Sequence, residues 1–160
     1  MGIYLLIEVQ IITIDFSWIR QKFLSCKKYW SKLKEIVSKT SGELEQDIDI
    51  QLKAERIFEI LSQILLDICT HIIAHSEEPP PQTYSDCMRK LGSLNIITPQ
   101  MTEKAASMVK MRNIVVHQYT DINYRLLFEE LCEFHQDFPQ IQKEILFWID
   151  SQEKSELSKK

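Results

Sequence analysis

Between positions 112 and 119 the chain carries Arg112, Asn113, His117 and Tyr119, a concentration of polar groups inside an apolar stretch. These residue types handle phosphate and protons. An arginine grips a phosphate with two parallel N–H donors, and a histidine, with an ordinary pKa near ~6.5, exchanges a proton close to neutrality. On an α-helix each residue advances about 100°. Asn113 and His117 then stand one turn apart, so the amide can orient the imidazole. Arg112 and Tyr119 share a face, while Ile114, Val115 and Val116 fill the faces between and suit burial. The same spacing also fits a helix end at which Arg112, Asn113 and His117 satisfy the last carbonyls. Spacing alone leaves both readings open.

The chain offers long helices to hold this stretch, because only three glycines and five prolines occur in 160 residues. Residues 1–14 are apolar and β-branched, and read as a short strand or an N-terminal extension of uncertain structure. From position 15 the period becomes helical. Phe16, Ile19, Phe23, Trp30, Leu33 and Val37 recur on one face, with Lys27, Lys28, Lys32 and Lys34 on a solvated one. Residues 40–42 end that helix, and residues 43–49 read as an acidic connector. The longest helix is expected over residues 50–75. Ile57, Leu61, Ile64, Ile68 and Ile72 form its stripe, widened by Phe58, Leu65 and Cys69. A surface that broad calls for several neighbours and favours a bundle that also dimerises.

Pro79, Pro80 and Pro81 stop this helix. A short helix is expected over residues 85–91, capped near Ser85 and Asp86 and ended by Gly92. Thr98 and Pro99 open the next as N-cap and first helical residue. That helix turns Met101, Ala105, Met108 and Val109 to the core before reaching Arg112. The last is expected over residues 122–149, with Leu126, Leu127, Leu131, Phe134, Phe138, Ile141, Ile145 and Trp148 inward and a kink at Pro139. Residues 151–160 read as a polar, frayed tail. The expected fold is all-α: an up-and-down bundle of four long helices and one short helix over residues 16–150, assembled as a homodimer.

Apolar residues at 44% and charged residues at 26% are ordinary for a soluble domain with a real core. A net charge of -4 argues against RNA binding over the whole surface, so positive potential would have to be local. Cys26, Cys69, Cys87 and Cys132 form no C-x-x-C pair, which points to buried free thiols in a reducing cytosol rather than zinc. His71 and His75 have a metal-holding spacing but no third ligand, and Glu78 lies past the helix end. A structural role is the better reading, and no metal or cofactor is expected. Asp67 stands one turn from His71 and would hydrogen-bond to it; a carboxylate facing an apolar stripe makes it a minor site candidate. Residues 1–14 are too short for a bilayer span, are interrupted by Glu8 and Gln10, and lack the basic start of a signal peptide. A cytoplasmic protein without a membrane partner is expected.

The pattern Arg112-Asn113-x-x-x-His117-x-Tyr119 resembles the R-N-x-x-x-H-x-Y signature of the HepT-like branch of HEPN proteins, the DUF86 group. The resemblance extends over about residues 16–150 and takes in the long apolar helix, the proline-rich turn and Tyr84-Ser85-Asp86. It implies the toxin of a type VII toxin–antitoxin module, partnered by an MntA-type minimal nucleotidyltransferase antitoxin. It also implies a metal-independent endoribonuclease with an R-x-x-x-x-H site. The ribose 2′-OH attacks the adjacent phosphate, His117 takes or returns the proton, Arg112 holds the phosphate, and Asn113 orients His117 or the substrate. One chain supplies one arginine and one histidine, so a dimer that joins two signatures makes a more complete cleft. In HepT-like systems the transferase moves AMP from ATP to the tyrosine corresponding to Tyr119, with Tyr124 the next candidate here. The chain has no glycine-rich phosphate loop and no paired catalytic aspartates, so it is the HEPN half rather than the transferase. The runner-up is a non-catalytic helical partner of the nucleotidyltransferase, with Arg112 and His117 supporting an interface.

Overall fold

The structure, a computed structural model, describes residues 13–117 and 122–159, and of Val116 and His117 only the backbone. Among these residues there are six α-helices and no strand: α1 Phe16–Val37, α2 Ser41–Gln46, α3 Ile48–Ala74, α4 Tyr84–Ser93, α5 Pro99–His117 and α6 Tyr124–Leu157. Of the strand expected over residues 1–14, residues 1–12 lie outside the described range and residues 13 and 14 are in neither helix nor strand.

α3 is the centre of the bundle. Ile57, Phe58, Leu61, Ile64, Leu65, Ile68, Cys69 and Ile72 are all buried, as their spacing requires. Every other helix packs on it. Its length and apolarity would suffice to cross a bilayer, but here they are used to fill a core. The named stripe is covered within one chain, while Ile48 and Leu52 in the first turns of α3 stay exposed.

α1 starts where the Asp15 carboxylate accepts the Trp18 N–H at 2.8 Å. Ile19, Phe23 and Leu33 are buried, while Lys27, Lys28, Lys32 and Lys34 are exposed as expected. Lys22 pairs with Asp67 of α3 at 2.8 Å, and Arg20 reaches Asp150 and Glu153 of α6 at 2.7 and 2.8 Å.

Several expectations are corrected. Residues 43–49 are not a connector. Thr40 Oγ1 accepts the Glu43 N–H at 3.2 Å and the Glu43 carboxylate accepts the Thr40 N–H at 2.7 Å, a reciprocal cap that starts α2 and buries Leu44. Asp47 then caps α3, so that helix begins at Ile48 rather than position 50, and the bundle has two short helices instead of one. The N-cap of α4 is Thr83, whose hydroxyl accepts the Asp86 N–H at 3.0 Å. The longest helix is α6, with 34 residues against 27 in α3. It passes through Pro139, which leaves the His135 carbonyl without its usual N–H donor, and it continues to Leu157, so the expected tail is largely helical. Leu126 lies outside its buried stripe.

Gly92 is another. It lies inside α4 and does not end it; Asn95, with φ of 56°, takes the left-handed position after the helix. The Ile96 N–H then bonds the Leu91 carbonyl at 3.0 Å and closes the turn. Gly92 is needed for close approach: a Cβ there would lie 2.9 Å from Thr102 Cγ2 of α5 and nearer still to its Oγ1. Thr102 is buried, with its hydroxyl bonded to the Thr98 carbonyl at 2.9 Å, so it has little room to yield. Gly92→Ala gains about 1 kcal/mol of helix propensity but overpacks the α4–α5 contact by about 1–3 kcal/mol. The expected outcome is a lower melting temperature by circular dichroism, partly restored when Thr102→Ala is added. An unchanged or raised melting temperature in Gly92→Ala would show that the two helices separate without cost.

Candidate functional site at the end of α5

α5 buries one face against the bundle. Met101, Ala105, Met108, Val109, Met111 and Val115 are buried, while Arg112 is half-buried and Asn113 exposed. Ile114 packs partly against the core. The start of α4 is fastened beside this face, because the Ser85 hydroxyl donates to the Ala106 carbonyl of α5 at 3.0 Å. Tyr84 is the first residue of α4, and its ring lies under the Arg112 guanidinium, with Cζ 5.4 Å from the ring centroid. That is cation–π distance.

The surroundings of Arg112 differ from those of several nearby cations. Three cations on α4 and α5 are matched to carboxylates, Lys104 to Asp137 at 2.5 Å, Lys90 to Glu78 at 3.3 Å and Arg89 to Glu103 at 3.5 Å, whereas Lys110 of α5 forms no ion pair with the described residues. Among the described residues Arg112 has no such partner, and its buried Nε has no hydrogen-bond acceptor. An aromatic face holds the guanidinium in place without cancelling its charge.

A cavity of about 410 Å³ opens beside this pair, lined by Thr70, Pro81, Gln82, Thr83, Tyr84, Cys87 and Asn113. Cys87 is part of its lining and is in contact with Cys69. Burial pushes the Cys69 thiol up, and it donates to the Cys87 carbonyl at 2.9 Å. The hydrogen bond from Cys69 lowers the Cys87 thiol. A larger cavity, about 830 Å³, lies away from the signature, between residues 95–99 and α6.

Of the residues expected to do chemistry, Arg112 and Asn113 are thus brought to one edge, at Tyr84 and the cavity. The His117 side chain and all of Tyr119 lie outside the described residues, and so do the expected Asn113–His117 and Arg112–Tyr119 pairings. Asp67 is not joined to this edge. Its carboxylate accepts from Lys22 at 2.8 Å and from Gln63 at 2.7 Å, tying α1 to α3 rather than bonding His71. His71 instead accepts the Asp15 N–H on Nε2 at 3.0 Å and packs on Trp18 and His75. Among the described residues no three His, Cys, Asp or Glu side chains gather as a metal site. Cys26, Cys69 and Cys87 are buried and free, and Cys132 is partly exposed. The roles of Tyr84 and Thr70 were not foreseen. The available signal was an aromatic residue at a helix start beside a capping threonine, with no apolar period of its own.

Residues 26–145 match the family model of HepT-like ribonucleases. In sequence the chain is 25% identical over 118 residues to the tRNA nuclease HepT of Aphanizomenon flos-aquae, covering 74% of this chain and 80% of that protein. It is 25% identical over 119 residues to the mRNA nuclease HepT of Shewanella oneidensis, covering 74% and 89%. In structure it is similar to the tri-AMPylated Shewanella oneidensis HEPN toxin in complex with MNT antitoxin, with a TM-score of 0.70, 24% identity and coverage of 79% of this chain and 95% of that one. It is also similar to YutE, a cytosolic protein of unknown function from Bacillus subtilis, with a TM-score of 0.74, 21% identity and coverage of 87% and 93%. These structures share its helical fold.

The His71 contacts generate a pH dependence. Burial, then the neighbouring His75, lowers the His71 pKa from 6.5, and the neutral ring is the form that accepts the Asp15 N–H. The unfolded chain therefore binds this proton more readily than the folded one. The stability His71 contributes is complete above about pH 6.5 and is lost as pH falls through the lowered folded value. Thermal melts from pH 7.5 to 5 should show a decline that is shallower in His71→Gln; equal slopes in both proteins would remove His71 as the cause.

Proposed function

The chain belongs to the HepT-like ribonuclease family, and from that premise we propose that it is a toxin endoribonuclease built on Arg112 and His117 and neutralised by adenylylation of Tyr119. The observation that carries the reading is Arg112: a guanidinium held on an aromatic ring beside a cavity, with no carboxylate partner among the described residues. Such a group is prepared for an anion from outside the protein.

RNA is the substrate class, in keeping with the tRNA and mRNA nucleases to which the chain is similar. In the proposed reaction a ribose 2′-oxygen attacks the adjacent phosphorus while His117 accepts the hydroxyl proton. The bond from phosphorus to the 5′-oxygen breaks, and that oxygen takes a proton from a protonated His117. The products are a 2′,3′-cyclic phosphate and a 5′-hydroxyl. Arg112 supplies a fixed positive charge to the pentacoordinate phosphorus, a task it performs without a metal. Asn113 positions His117 or the substrate from the next turn back. Two histidines are needed if one is base and the other acid, which favours a homodimer with two signatures at one cleft.

The partner is an MNT-type nucleotidyltransferase antitoxin, the class present in the Shewanella oneidensis complex. The Tyr119 phenol oxygen attacks the α-phosphorus of ATP, pyrophosphate leaves, and the phenolic proton is released. The added phosphate would pair with Arg112 in place of RNA. Tyr124 is a poorer acceptor. Burial and its hydrogen bond to Glu55, 2.6 Å long, raise its pKa to about 12. The cytoplasm is the compartment in which RNA, ATP and both proteins meet. The net charge of -4 favours the second reading, a non-catalytic partner of the transferase.

Purified, unmodified protein should cleave RNA in the presence of EDTA. Arg112→Ala and His117→Ala should each lower the rate by about 10²–10⁴-fold with unchanged helical circular dichroism. Full activity in either variant would remove that residue from the site; an inert wild-type chain would leave the non-catalytic reading. Co-expression with the transferase, followed by intact mass, should reveal AMP adducts on the wild type and none on Tyr119→Phe. Undiminished adducts in the variant would move the modification elsewhere, to Tyr124 first.

A further inference from the structure

We propose that the cavity between the start of α4 and the end of α5 seats a base of the RNA, with Tyr84 as its stacking surface. The proposal rests on the ribonuclease reading and names the subsite that reading lacks. Three observations support it. The cavity, about 410 Å³, is within the ~300–1,000 Å³ range of small-ligand sites. Its wall combines one aromatic ring with neutral hydrogen-bonding groups, the Thr70 hydroxyl and the Gln82 and Asn113 amides, and includes no lysine or arginine. That chemistry suits the edge and face of a base rather than a phosphate. Arg112, the phosphate-binding chemistry, is the adjoining group, because it stands over the same Tyr84 ring and next to Asn113 in the chain. Base and phosphate would be received side by side.

Tyr84 is suited to that work. It is 42% exposed although it opens a helix packed against α5, so its ring is not spent on the core. A cation occupies one face and a planar ring has two. Its backbone is rigid, held by the Thr83 cap and by the Ser85 bond to Ala106. Stacking a base on a fixed aromatic side chain gains affinity with little dependence on sequence.

The test uses the full chain and a short single-stranded oligoribonucleotide with 2′-O-methyl sugars, which binds without being cleaved, alongside cleavage of unmodified RNA. Tyr84→Phe should bind within about twofold of wild type. Tyr84→Leu should bind about 5- to 100-fold more weakly, with KM for cleavage raised more than kcat is lowered. An oligonucleotide carrying abasic residues should lose affinity for wild type and lose little more for Tyr84→Leu, as expected if base and ring interact with each other. Thr70→Leu, an exposed substitution on α3 that fills the opposite wall, should weaken binding likewise and serves if Tyr84→Leu misfolds. Wild-type affinity in Tyr84→Leu and Thr70→Leu, from a chain that cleaves RNA, would overturn the base seat and leave the ribonuclease reading standing. A fall in kcat alone in Tyr84→Leu would also overturn it, by reducing Tyr84 to a support for Arg112. A wild type that neither binds nor cleaves RNA would overturn both.

Discussion

How closely α4 can approach α5 determines where Arg112 is held. Gly92 removes the one Cβ that would meet Thr102, and the two helices can then share Met88, Leu91, Met101 and Ala105 as a dry contact. The Ser85 hydroxyl fastens the other end of α4 to the Ala106 carbonyl. With both ends fixed, Tyr84 lies beneath the guanidinium with no further device. Packing density thus passes directly into the chemistry, because a gap of even a methyl group in such a contact is felt by its neighbours. The polar edge of α5 is as well placed as it is because its apolar edge is tightly seated.

Periodicity made the bundle readable before its coordinates. Every residue named for the α3 stripe is buried, and Thr98 and Pro99 open α5 as their chemistry demands. What escaped was structure without a hydrophobic period. Residues 43–49 looked acidic and loop-like, although Thr40 and Glu43 carry the spacing of a reciprocal cap. The last turns of α6 have almost no apolar face, and what reaches them is the Arg20 bridge from α1 to Asp150 and Glu153, an interaction no local window contains. Gly92 was ambiguous in principle. A glycine past a helix end and a glycine at a helix crossing look alike until the opposing Thr102 is known.

The candidate site divides in the same way. Arg112 and Asn113 could be named from residue type and spacing, since both lie on one short stretch. Tyr84 and Thr70 come from α4 and α3 and meet the stretch only through packing. Asp67 shows the reverse error. A carboxylate on an apolar helix suggested function, but Lys22 on α1 and Gln63 one turn back account for it as an interhelical tie.

The electrostatic arrangement links the proposed activity to its proposed control. A chain with net charge -4 repels RNA at long range, so affinity depends on charge left unneutralised at one place. Lys90, Arg89 and Lys104 do not serve, because each faces a carboxylate. Arg112 is set on Tyr84 instead and has no carboxylate partner among the described residues. A site that relies on a single cation is easily closed by a single anion. An adenylate on Tyr119, seven residues on from Arg112 in the chain, would supply a phosphate tethered at high effective concentration, and an RNA phosphate would have to displace it from solution. Covalent neutralisation by one small group would then suffice at that place.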